Sequence, residues 1–469
     1  MNIPKPLSFL LLAGLACGCA QPQPAHHEAS SRPAPLTALA DEVKQETLRS
    51  WKAYRTYAWG HDALKPLSRS FEDWYAHPLY ISPIDAYSTL KVMGLDEEAA
   101  DIERYVVDSL SWDKDVDAKT FEVDIRILGG LLSMYEYSAN PKVLAKTVDF
   151  ADRLLKAFDT PTGIPTYSVN LRTGKQSGDT VNVAEAATNI LELGILSHYT
   201  GDPKYYAAGK RATLAIHERR SAIGLVGTDI NVRTGAWTNT QSSICAGVDS
   251  YFEYLYKAWV LLQDPDLERV WKEAIAPVHT HLPVTKDGLL WYGRSDMETG
   301  KPISSVVTLY DAFFPALMVL SGDTVRAEQL QRSWDALWRK YGLEPTAYDY
   351  ATGEVRAGDY DLNPEIIESA YYLYHATGDT LYRNMARSYW SDIKEHCRTD
   401  VAFTSVSDVR TMAKKDYMPT FFFAETMKYL YLVFSEGDGR FDLDAHIFNT
   451  EAHPFRRSSF EPPARGPRH

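Results

Sequence analysis

Residues 363–396 read NPEIIESAYYLYHATGDTLYRNMARSYWSDIKEH. The part up to His375 is apolar on nearly every side. After Gly378-Asp379, apolar residues return at helical spacing: Tyr382, Met385, Tyr389 and Ile393. The stretch therefore reads as an apolar helix, a Gly-Asp turn and an amphipathic helix. The same order recurs along the chain. The turns are GLDEEA (Asp96), SANPKV (Asn140), TGDPKY (Asp202), QDPDLE (Asp264), SGDTVR (Asp323), TGDTLY (Asp379) and SEGDGR (Asp438). Each follows an apolar run, from STLKVMG through IRILGGLLSMYEY to TMKYLYLVF. A period of roughly 45 to 60 residues marks an array of helix pairs. An apolar helix must be covered on most sides, whereas an amphipathic one covers a single face. Inner helices ringed by outer ones satisfy both. The expected fold is all-α, an (α/α)7 barrel of seven helix hairpins. An open solenoid is the competing arrangement, but the apolar inner runs favour closure.

The chain has 469 residues and a formal charge of −13. That balance argues against nucleic acid and against an anionic membrane surface as partners. The N-terminus, MNIPKPLSFLLLAGLACGCAQPQP, has one Lys, a short apolar run and two cysteines. It reads as a lipoprotein-type signal peptide over 1–18, with Cys17 or Cys19 acylated and the protein lipid-anchored at a bacterial cell envelope. A plain secretory signal is the other reading. Residues 19–40 are expected as a flexible tether, 41–455 as the barrel and 456–469 as a disordered tail. Only Cys245 and Cys397 remain in the body, so no disulfide framework is expected and both read as buried thiols. No oligomeric signal is visible, and a monomer is expected.

An acid opens every inner run: Asp85, Glu122, Glu185, Asp249, Asp311, Glu365 and Glu425. Acids at helix N-termini commonly do no more than offset the helix dipole and free N–H groups. Here, however, five follow apolar residues (Phe121, Ala184, Val248, Pro364, Ala424), and inner helices of a barrel begin at one end. Carboxylates gathered around one cavity demand a cation, shared protons or a polar ligand. Paired carboxyls in a concave, aromatic-rich site are what glycoside hydrolysis uses. Glu192 and Glu253 lie further down their helices. His453 reads as a hydrogen-bonded structural histidine, and Gly129-Gly130 as a point of close helix contact.

FEVDIRILGGLLSMYEYS, TPTGIPTYSVNLRTG, DSYFEYLYKAW, NPEIIESAYYLYHATGD, FFFAETMKYLYLVFS and FNTEAHPF, in that order, resemble glycoside hydrolase family 47, the class I α-mannosidases. WKAYRTYAWGHDALKPLSRS is similar to the family's opening helix, so the likeness runs from Thr47 to Phe455. It implies a Ca2+-dependent, inverting exo-α-1,2-mannosidase acting on α-1,2-mannosides or high-mannose glycans. Glu122 corresponds to the general acid, Glu365 to the general base, and Asp249 to a third catalytic carboxylate also argued to be the acid. Arg126, Glu185, Glu368, Phe421, Glu425 and Glu451 correspond to substrate- or water-binding positions. Thr450 corresponds to the Ca2+ ligand, with the C-terminal segment rising as a plug inside the barrel. The chain departs from the family pattern in four places. Asn363 and Gly247 stand where the family commonly carries larger or basic residues. Thr346 replaces an acid, and Ala312 replaces a cysteine. Two other readings are a mannose-binding, lectin-like barrel and a metal-free (α/α)-barrel glycosidase or lyase.

Overall fold

The computed structural model describes residues 38–437 and 439–460. Among them, fourteen helices alternate between an outer and an inner ring. The chain starts with outer α1 (Ala38–Tyr57), inner α2 (Ile81–Val92) and outer α3 (Asp96–Asp108). Inner α4 joins Thr120–Val123, a π-helical turn at Asp124–Leu128 and Gly129–Ser138; outer α5 is Pro141–Leu154. Inner α6 joins Val183–Ala187 to Ile190–Thr200, followed by outer α7 (Lys204–His217). Inner α8 (Asp249–Leu262) and outer α9 (Pro265–His281) follow. Inner α10 joins Leu309–Phe313 to Phe314–Leu320, with outer α11 at Thr324–Tyr341. Inner α12 (Glu365–Thr377) and outer α13 (Thr380–Cys397) come next. Inner α14 joins a second π-helical turn, Phe422–Thr426, to Met427–Ser435.

The turn chemistry explains the repeat. In the fifth hairpin's successor, Gly378 adopts φ +67 and closes α12, its N–H bonding the Tyr374 carbonyl. Asp379 then caps α13, accepting the Leu381 N–H at 2.8 Å. One dipeptide thus ends one helix and starts the next. Where the glycine is missing, Ala139 (φ 49) and Gln263 (φ 54) take the left-handed position instead, at a cost of about 1 kcal/mol each. The burial follows the two patterns. In α2 every residue except Lys91 is buried, whereas α3 buries only Ala99, Ile102 and Val106.

The ring closes. α14 packs against α1, α12 and α2, so the expected barrel, not a solenoid, is the fold. The seventh turn differs from the others: α14 takes its outer partner from the N-terminal α1, and Asp438 lies outside the described residues. Small two- and three-stranded antiparallel sheets connect outer helices to the following inner ones. Two of their turns repeat Asn-x-Arg-Thr-Gly. Asn170 Oδ1 accepts the N–H groups of Arg172 and Thr173, and Asn231 Oδ1 those of Arg233 and Thr234.

The terminal segment enters the barrel as a hairpin, His446–Phe448 pairing with Pro454–Arg456. Asn449 Nδ2 donates to the Ile125 carbonyl (3.0 Å) and Glu192 (2.9 Å), and His453 Nδ1 meets Ser88 Oγ at 3.2 Å. Gly129 and Gly130 make room. A Cβ at Gly129 would lie 2.5 Å from Asn449 Nδ2, and one at Gly130 would lie 2.5 Å from Ile84 Cγ2. The close helix contact expected at this pair is therefore with both the plug and α2.

Some boundaries move. α1 begins at Ala38, inside the stretch expected as tether, because its apolar positions already pack from Ala40 and Val43. Ordered backbone passes the expected barrel end at Phe455: Arg457–Phe460 form a 3-10 turn, and Phe460 packs on His198 and Tyr199. The signal peptide, the rest of the tether and 461–469 lie outside the described residues. No helix among the described residues is long and apolar enough to cross a membrane. Cys245 and Cys397 are buried free thiols.

Candidate active site

A cavity of about 430 Å3 opens where the inner helices begin. Thr450 and Glu451 from the plug form part of its lining. All ten residues implied by the resemblance line it: Glu122, Asp249 and Glu365; Arg126, Glu185, Glu368, Phe421, Glu425 and Glu451; and Thr450. Five of the seven N-terminal acids are there. Asp85 and Asp311 are not among the lining residues. Asp311 accepts the Thr308 hydroxyl at 2.6 Å, at the start of its own helix. Asp85 is fully buried near His453 Nε2 (3.4 Å) and Arg126 Nη1 (3.8 Å).

The two π-helical turns fall at the site. A π turn widens a helix by one residue, and such insertions recur at functional positions. The first follows Glu122 and contains Arg126; the second contains Glu425. Arg126 holds Glu122 Oε2 through Nε (3.0 Å) and Glu451 Oε2 through Nη1 (2.5 Å). Its guanidinium also faces the rings of Trp74 and Phe421, 5.4 and 5.7 Å from their centroids, a favourable cation–π setting. Glu185 serves twice. One oxygen forms a capping box with Asn182, and the other lies 3.2 Å from Lys119 Nζ.

Burial dominates the electrostatics. It pushes Asp249 up to about 7, with Asp311 and Glu253 adding to the rise. It pushes Glu365 up to about 8, helped by Glu368 and Asp249, and Glu368 up to about 7. Glu425 and Glu451 are also raised by burial and by neighbouring acids, although Arg126 opposes the rise at both. Glu122 runs the other way. Burial would raise it, but Arg126 and Lys119 together hold it below the usual carboxylate range. Glu365 Oε2 is buried without a hydrogen-bond partner, while Oε1 meets Asn363 Nδ2 at 3.4 Å.

Behind this layer, Glu192 accepts the Tyr254 hydroxyl at 2.6 Å, and Tyr254 Oη accepts the Thr450 N–H at 3.3 Å. Glu192 thus holds the plug and does not line the cavity. Glu253 does line it, and pairs with Lys257. His453 is fully buried and hydrogen-bonded, a structural role. Gly247 lies in the lining at φ +95, and Thr346 is turned to the Asp359 carbonyl at 2.8 Å. Reading the sequence missed Lys119, Trp74, Tyr310 and Tyr417, which also line the cavity. Lys119 had a usable signal, standing three residues before Glu122 at a helix start. Trp74 and Tyr417 come from loops with no periodic pattern.

A closed double ring of helices whose acids, aromatic rings and arginine meet in one cavity defines a glycoside hydrolase of the (α/α)7 class. The sequence profile of Glycosyl hydrolase family 47 matches residues 46–457, and the chain belongs to that family. It is 33% identical over 482 residues to alpha-mannosidase I MNS5 of Arabidopsis thaliana, covering 97% of this chain and 82% of the relative. It is also 33% identical over 447 residues to human mannosyl-oligosaccharide 1,2-alpha-mannosidase IB, covering 88% and 69%. Its fold is similar to the solved alpha-1,2-mannosidase from Trichoderma reesei, with a TM-score of 0.82 at 28% identity over 90% of this chain and 99% of that one.

Proposed function

We propose that this glycoside hydrolase is a Ca2+-dependent, inverting exo-α-mannosidase that removes terminal α-1,2-linked mannose from oligosaccharides or high-mannose N-glycans. The observation that carries the reading is the meeting of Glu122, Asp249 and Glu365 in one cavity whose lining includes the plug. A cavity backed by the plug suits a chain end, and so exo action. The similarity to α-mannosidases supports mannose as the sugar.

Glu365 is the base. Its buried, unpartnered Oε2 is free to accept a proton from the attacking water. Glu122 or Asp249 supplies the proton to the leaving oxygen. Phe421 offers an apolar face to the ring, and Arg126 orients Glu122 and Glu451. Glu185, Glu368, Glu425 and Glu451 accept hydroxyls or ordered water.

The residues present fit a hard divalent cation. Eight carboxylates but two cationic side chains line the cavity, and Thr450 offers carbonyl and hydroxyl oxygens there. Among the described residues no group of three or more His, Cys, Asp or Glu could hold a metal directly. The carboxylates would therefore act through water, with Thr450 as the protein ligand. When bound, the ion would offset the clustered negative charge and orient two sugar hydroxyls.

The test is to incubate the mature protein with α-1,2-mannobiose, with and without chelator, and follow the released anomer by NMR. Chelator-sensitive release of β-mannose supports the whole reading, and release of α-mannose removes inversion. Mannose bound without turnover would favour the lectin-like alternative. A pH prediction follows from the raised carboxyls. Glu365 and Glu368 hold protons below about 8 and 7 in the metal-free protein, and cation binding must displace them. Ca2+ affinity should therefore rise from pH 5.5 to 7.5, by up to about tenfold per pH unit for each proton displaced. Calorimetric titration at the two pH values reads this directly, and a pH-independent affinity would remove these acids from the ion's surroundings.

The place of action we propose, on the leader sequence alone, is the bacterial envelope through an acylated Cys17 or Cys19. Detergent-phase partitioning that survives both Cys17→Ser and Cys19→Ser would overturn it.

A further inference from the structure

Lys119 sits at the end of the strand Asp117–Lys119, paired with Ser168, and its N–H bonds the Tyr75 hydroxyl at 3.1 Å. This backbone anchoring fixes where its side chain enters the cavity. The ammonium lies 3.2 Å from Glu122 Oε1 and 3.2 Å from Glu185 Oε1. It also lies over the rings of Phe121 (5.7 Å) and Tyr167 (5.4 Å). Arg126 Nε takes the other oxygen of Glu122 at 3.0 Å. Each oxygen of Glu122 therefore faces its own cation. The remaining charged or titratable groups around it are Glu185 from α6, Glu451 from the plug, and the phenols of Tyr75 and Tyr417.

Protonating Glu122 would remove the charge that strengthens its hydrogen bonds from Lys119 and Arg126, so the anion is favoured there. Asp249 has no such constraint. Its Oδ1 accepts the Ser250 N–H at 2.9 Å, and it has no ion pair among the described residues. We propose that Lys119 is a positioning residue that holds Glu122 as an anion tied to Glu185, leaving Asp249 to deliver the proton. This rests on the hydrolase reading above. The step balances. Asp249 gives its proton to the glycosidic oxygen as the C1–O bond breaks. Water oxygen bonds to C1 while Glu365 takes a water proton, and solvent returns the two carboxyls to their starting states. Anionic Glu122 stabilises positive charge developing on the ring.

The experiment compares wild type, Lys119→Met and Lys119→Arg in the pH profile of kcat/KM on α-1,2-mannobiose at saturating Ca2+. Losing the cation raises the Glu122 pKa. If Glu122 must be an anion, the acidic limb moves up by about one pH unit in Lys119→Met, and Lys119→Arg restores it. If Glu122 is the donor, the basic limb moves up instead, which overturns the proposal. Unmoved limbs with a raised KM would make Lys119 a substrate contact and also overturn it. Lys119→Gln replaces Lys119→Met should the latter fail to fold. Infrared difference spectra read the ionisation of Glu122 without relying on turnover. In Lys119→Met a protonated carboxyl band that Glu122→Gln abolishes should appear on acidification about one pH unit before it does in wild type, so that at the intermediate pH wild type lacks it. The same band in wild type at that pH would sink the proposal even if the protein hydrolysed nothing, so the two readings fail separately.

Discussion

Glu365→Gln lowers turnover by about 10²–10⁴-fold while α-1,2-mannobiose still binds, the loss expected when a general base is removed. In free energy that is about 3–5 kcal/mol of barrier. The substitution keeps the shape of the side chain and removes only its ability to take a proton. The fold should tolerate it. In the metal-free protein Glu365 is largely protonated at neutral pH, pushed up to about 8 by burial and by Glu368 and Asp249, so a neutral amide is close to what the cavity already holds. A rise in the thermal midpoint would be consistent with relief of carboxylate crowding. Steady-state kinetics with a parallel binding titration separates the two effects. Near-normal turnover would remove Glu365 as base, and lost binding with unchanged kcat would make it a sugar contact.

Thr450→Ala weakens Ca2+ by at least the about 10–100-fold that loss of an outer-shell partner costs. It removes the hydroxyl and leaves the carbonyl. The plug itself should stay in place. It is held by Asn449 on Ile125 and Glu192, by His453 on Ser88, and by Lys428 on the Ala452 carbonyl. Activity should fall at low Ca2+ and recover in excess Ca2+, which a folding defect would not do. Calorimetric titration of the variant checks the affinity, and an unchanged value would undo the assignment of Thr450 as ligand.

The repeat was legible because it is local. Each apolar run, each Gly-Asp turn and each amphipathic run states the burial of its own helix, and seven copies leave a closed ring as the arrangement that covers every apolar face. The acids at helix starts were equally visible, but their roles were not. Asp311 and Glu185 carry the same local signal, yet one only receives a threonine hydroxyl while the other both caps its helix and meets Lys119 in the cavity. The family resemblance brought Thr450 and Glu451 to the site; no periodicity could, because they stand on a terminal hairpin far in sequence from the helices they meet.

The sequence by itself therefore determined the ring of helix pairs, the turns that build it, the acidic end and the family. Only the tertiary structure decided which acids share a cavity, that Lys119 and Arg126 hold Glu122 between them, and that Asp249 and Glu365 are the carboxyls driven towards protonation. The reason is physical. A helix pattern reports burial of a segment against anything apolar, whereas a carboxyl's charge is set by desolvation and by partners brought within a few ångströms from distant parts of the chain.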